Sequence, residues 1–164
     1  MISENEKKLI ECLDEKLKPY SFEKIGLSSF PQTLPILAAW KRKTWNTNRA
    51  VAVISLPESN GHSGEFSQNV KKPLGKIIGY VPFLYPLGLQ IVLTGNSIIY
   101  MKDNLEKFID KFDNQRVVLQ SIHVVDFASM ENVSAHTWGQ YTTGRFQNAI
   151  ESGILSFLNK TKTG

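Results

Sequence analysis

Two groups of residues in this chain have the types and spacing to do chemistry. The first could supply a nucleophile and a base: His62, Ser63 and Glu65 in the turn-rich stretch PESNGHSG–E, and Asp126 with His136 further along. The second is basic and aromatic, Trp40-Lys41-Arg42-Lys43-Thr44-Trp45 followed by Arg49. Acyl or phosphoryl hydrolysis needs a nucleophile beside a base that a third group orients. Binding of nucleic acid or small anions needs cations, with planar rings between them where bases must stack.

Gly61-His62-Ser63-Gly64-Glu65 approaches the G-x-S-x-G nucleophile elbow of α/β-hydrolases, but Glu65 stands where the final glycine would be. Small residues let that elbow turn sharply from strand to helix, and a glutamate crowds the turn. Glycines ahead of a helix also suit an anion, because free N–H groups point outward there. Asp126 closes a strand-like run, and ligand sites in open α/β sheets lie beyond strand carboxyl ends. With His136 expected in the following loop, an Asp126–His136 pair could orient a base. The plainer reading of Asp126 is a carboxylate that caps loop N–H groups. Alternation puts His123 on one strand face with Leu119, Ser121 and Val125, and Asp126 on the other. His123 is therefore expected to be a satisfied core histidine. There is no H-E-x-x-H, paired-cysteine, calcium-loop, Walker A or G-x-G-x-x-G spacing. No metal site is expected and no cofactor is assigned.

In the basic stretch, alternation puts Trp40 and Arg42 on one face and Lys41 and Lys43 on the other, so one tryptophan is available to a core. The net charge is +4, and residues 31–82 account for it, with seven Lys and Arg against two Glu. Such a patch attracts phosphate-bearing partners. A solvated edge strand defended by charge has the same composition. No RNP1, KH or helix-turn-helix pattern accompanies it.

The elements that must position these residues follow from period and punctuation. Ser3-Glu4-Asn5-Glu6 has the form of a capping box, and Leu9, Ile10, Leu13 and Leu17 recur at helical spacing until Pro19. Residues 35–43 and 49–56 read as an antiparallel hairpin. Residues 67–81 and 103–112 read as helices, 116–127 as a β-branched strand, 142–158 as a final helix and 159–164 as a frayed tail. The 77–101 run carries no charge. It is long enough to cross a bilayer, but Pro82, Pro86, Gly79, Gly88, Gly95 and Gln90 interrupt it. Leu89 to Thr94 is read instead as a buried central strand. The predicted fold is a single-domain (1–164) three-layer α/β sandwich with a mixed, largely buried sheet, in the order α-β-β-α-β-α-β-α.

This order resembles in part the α-β-β-β-α-β core of restriction-endonuclease-like folds. Their chemistry uses P-D/E followed by D/E-x-K; Pro57-Glu58 supplies the first half and no D/E-x-K follows it. A shared fold without the site implies no function. The one cysteine, Cys12, excludes an internal disulfide and sits among the apolar positions of the first helix. The charged start, MISENEKKLIECLDEK, lacks a secretory core, so the expected address is the cytoplasm. The expected function is a small binding or regulatory module, for a ligand or for a partner such as another protein or a second copy of itself. The alternatives are nucleic-acid association through the 40–49 hairpin and a hydrolase-like enzyme using the 58–65 loop with Asp126 and His136. Membrane association is disfavoured.

Overall fold

The computed structural model describes residues 2–30, 35–43, 48–56, 87–98, 117–136 and 144–162. The helices expected over 67–81 and 103–112, and the 57–65 turn cluster, lie outside the described residues.

Helix α1 (Glu4–Leu17) begins as its sequence dictates. The Ser3 hydroxyl accepts from Glu6 N at 3.2 Å, and the Glu6 carboxylate accepts from Ser3 N at 2.7 Å. Its apolar stripe, Leu9, Ile10, Leu13 and Leu17, is buried together with Cys12, whose thiol burial pushes upward from its ordinary value. A tight turn at Lys18–Tyr20 follows, with Pro19 inside it.

Six strands form one mixed sheet: β1 (Glu23–Lys24), β2 (Ile36–Lys43), β3 (Asn48–Ser55), β4 (Leu87–Gly95), β5 (Val117–Asp126) and β6 (Glu131–His136). They lie side by side in chain order. The pairs β1–β2, β2–β3 and β5–β6 are antiparallel, whereas β3, β4 and β5 run parallel. The fold is therefore mixed α/β, with the hairpin and the central strand where the sequence puts them. Strands β1 and β6 are additions to the predicted order. Residues 23–24 are too short and exposed to show a period, and 131–136 are a half-buried edge with polar residues throughout.

The last helix, α2, is described over Gly144–Lys162, and the start expected for it near residue 142 lies outside the described residues. It also continues through 159–162, where a frayed tail was expected, and the Thr161 hydroxyl donates to Phe157 O at 2.9 Å. Helices α1 and α2 pack against each other and on one face of the sheet, around Trp40, Val51, Val53, Val92 and Val125. At Gly153 a Cβ would sit 2.9 Å from the Leu13 side chain, so this glycine sets how closely the helices approach. The opposite face of the sheet buries Ala52, Ile54, Leu89, Ile91, Leu93, Ile122 and Val124. Among the described residues no helix is long and apolar enough to cross a membrane.

One strand breaks strict alternation. Leu89 pairs with Leu119 and Gln90 with Ser121, so Gln120 is an extra residue in β5. The bulge turns Leu119 to the face of Ile122 and Val124. It thereby removes Leu119 from the face of His123, where regular alternation had placed it.

Candidate anion-binding site

Helix α2 runs along the parallel strands from their amino ends to their carboxyl ends. At its start Phe146 packs edge-on against Tyr20 and Phe22, and near its end Phe157 packs against Phe127, just past β5. The polar groups of the helix-facing side of the sheet gather under its first half.

Arg42 and Arg49 are cross-strand partners at the amino end of this block. Such partners share a face, and like charges placed this way repel. Arg42 lies over the Phe146 ring, 4.7 Å from its centroid. Arg49 is half-buried, and burial first, then the neighbouring Arg42, pulls its guanidinium below the usual arginine value. No ion pair joins either arginine to an acidic side chain among the described residues. Beside Arg49, on β4, is Gly88. A methyl group there would run into the Arg49 guanidinium and the Gln120 amide, so the missing side chain makes room for both. The first turn of α2 contains Arg145 and no acidic residue, the reverse of what a helix dipole favours.

One row further along the strands, Trp40, Val51, Gln90, Ser121 and His136 are successive register partners. Gln90 is 3% exposed, and its Oε1 has no hydrogen-bond partner among the described residues. His136 Nε2 lies 3.3 Å from Glu151 Oε1 and 3.2 Å from Gln147 Nε2, both on α2. Its Nδ1 is buried and likewise unpartnered. Behind this row His123 is fully buried, with Nδ1 2.7 Å from the Ser134 hydroxyl and Nε2 3.1 Å from that of Ser121. Burial, with a smaller contribution from His136, lowers its pKa to about 3, so the ring is neutral.

The sequence-predicted residues divide accordingly. Trp40 does not join a stacking surface: it is fully buried, and its Nε1 donates to Asp14 Oδ1 at 2.8 Å, tying the sheet to α1. That bond, ahead of the Lys18 ammonium, holds the Asp14 carboxyl below its ordinary value. Lys41 is half-buried and turned away from Arg42, opposite Glu23 on β1. The Lys43 side chain, Trp45, His62, Ser63 and Glu65 lie outside the described residues.

Asp126 and His136 are not brought together. Asp126 pairs with Glu131 and His136 with Ser121, at opposite ends of the β5–β6 ladder, roughly 17 Å apart at strand rise. His136 belongs to a strand rather than to the loop expected for it. Asp126 Oδ1 accepts from the N–H groups of Ala128 (2.8 Å), Ser129 (3.2 Å) and Ser97 (3.2 Å), the capping role. Among the described residues no cluster of His, Cys, Asp and Glu could hold a metal ion.

Sequence reasoning missed Gln90, Gln147, Glu151 and Gly88 as site residues. One signal was there: a lone glutamine in the otherwise apolar LGLQIVL, and another in RVVLQSIHVV. No family model, no curated protein and no solved structure matches this chain.

Proposed function

We propose that the chain is a binding module for a small anionic ligand carrying phosphate, held by Arg42 and Arg49 at the start of α2. The observation that supports this reading is the paired guanidiniums on one face, with no carboxylate partner among the described residues. Two cations forced together need a shared counter-charge, and the planar guanidinium fork matches phosphate. A small ligand is favoured over a nucleic-acid strand because Trp40 is fully buried and offers no ring on which a base could stack. The finer architecture belongs to the same proposal. Ile91 and Leu93 are fully buried on the face away from α1 and α2, which calls for a third layer over that face of a single cytoplasmic domain.

Thermal melts and calorimetric titration with inorganic phosphate test the function. A bound anion raises the melting temperature progressively, as mass action requires. Chloride at equal ionic strength does not reproduce the rise, and Arg49→Gln abolishes it. A phosphate effect no larger than chloride's, or one that survives in Arg49→Gln, overturns the proposal. Tighter binding of single-stranded DNA than of phosphate, with a steep loss on adding salt, replaces the small ligand with nucleic acid.

A further inference from the structure

We propose that the ligand is a phosphate ester bearing hydrogen-bond donors, and that Gln90 Oε1 and His136 Nδ1 are the acceptors that read those donors. This rests on the arginine site above and names what lies beyond the phosphate.

Buried polar atoms are almost always paired, because each one left alone forfeits its hydration. Here two buried polar atoms without a partner among the described residues, Gln90 Oε1 and His136 Nδ1, fall in the same cross-sheet row, on either side of Ser121. Ser121 itself is engaged, its hydroxyl lying 3.1 Å from His123 Nε2. The state of His136 follows from its neighbour on α2. Two groups on α2 face Nε2: the Glu151 carboxylate, which only accepts, at 3.3 Å, and the Gln147 amide nitrogen, which only donates, at 3.2 Å. With the Gln147 proton spent on Glu151, Nε2–H points to the carboxylate and Nδ1 is taken as the acceptor. Gln147 Nε2 also donates to that carboxylate, at 3.3 Å, which holds Glu151 in place.

The spacing suits one molecule. Gln90 is two residues beyond Gly88, the register partner of Arg49, or roughly 7 Å along the strand. His136 is two strands from Gln90, roughly 10 Å across the sheet, with Ser121 the register partner of both. A hydroxyl- or amine-bearing body carried by a phosphate at the arginines would span the distance to the row. Two acceptors beside two cations select for an anion that also donates; a bare phosphate satisfies only half of the site.

The test compares methyl phosphate, which has the anion alone, with ribose 5-phosphate and adenosine 5′-monophosphate, which add donors. The readout is titration calorimetry on wild type, Gln90→Met and Arg49→Gln. At least one donor-bearing ester should bind wild type about tenfold more tightly than methyl phosphate. Gln90→Met should lose roughly five- to tenfold toward that ester, keep its methyl phosphate affinity, and melt at the same or a higher temperature when empty. As a check on wild type alone, the NMR signal of His136 Nδ1 should move on adding that ester and stay put with methyl phosphate. Equal affinities for all three ligands, or an undiminished preference in Gln90→Met, overturns this inference and leaves the arginine site intact. If no phosphate compound binds wild type, the arginine site falls first and this inference with it.

Discussion

His123 makes acid the sharpest probe of this fold. The ring is fully buried between the Ser121 and Ser134 hydroxyls and has a pKa of about 3, against an ordinary value of 6.5. The folded state holds the ring neutral, so protons favour the unfolded chain, where the ring takes one up at its ordinary value. Its contribution is therefore complete above 6.5, and declines as pH falls from there toward about 3. Lowering the pH from about 7 to about 5 should cost about 2 kcal/mol through this residue alone, and the full window roughly 5 kcal/mol. Asp14, whose carboxyl is held low, loses its contribution only below its ordinary 3.8 and does not act in the upper part of that range. Urea unfolding at the two pH values, on wild type and on His123→Gln, measures the effect. The variant cannot titrate there, so the difference between the two pH dependences isolates the ring from every other group. Equal pH dependence in the two proteins, or an NMR titration placing His123 near 6.5, refutes the reasoning.

Two further substitutions test how the site is positioned. Trp40→Phe removes the 2.8 Å bond to Asp14 and part of a fully buried ring system; a loss of about 2–3 kcal/mol in urea unfolding is expected, with the Asp14 carboxyl rising toward its ordinary value. Gly88→Ala drives a methyl group into the Arg49 guanidinium and the Gln120 amide; it should lower stability by about 1–3 kcal/mol and weaken phosphate binding in titration calorimetry.

What the sequence made legible was whatever rests on local periodicity. The capping box at Ser3, the stripe through Leu17, the 36–55 hairpin and the uncharged central strand are each decided by residues a few positions apart. Alternation also put Trp40 and Arg42 on one face correctly, which separates a core anchor from a site residue. The site itself depends on register. Nothing local in the Gln90 segment says that it lies beside Ser121, because the bulge at Gln120 shifts the pairing by one. Nor does a polar stretch such as ENVSAH announce that it will pair with β5 and carry His136 under α2. Asp126 takes the plainer of its two readings, a carboxylate that accepts from loop N–H groups, which its place at a strand end followed by turn residues made legible.

Among the described residues the polar groups at the carboxyl end of the parallel strands are spent on hydrogen bonds within the protein. Asp126 ties the Ser97 and Ala128–Ser129 turns together, while Leu56 N donates to Thr94 O and Phe127 N to Gly95 O. The ends of β3, β4 and β5 are thereby tied to one another. At the amino end the same face instead holds two repelling arginines, a glycine that leaves space for the Arg49 and Gln120 side chains, and buried acceptors without partners among the described residues. Each of these is a cost to the empty protein: like charges side by side, backbone freedom lost, hydration forfeited. A chain selected only to fold would place Leu at 90 and a carboxylate opposite Arg49. Their absence concentrates the violations of packing logic in one patch, and such patches are where function is expected. Substitutions at Arg49 and Gln90 that relieve the patch should therefore stabilise the empty fold and weaken its hold on ligand. A purely structural origin for these residues predicts the first effect without the second.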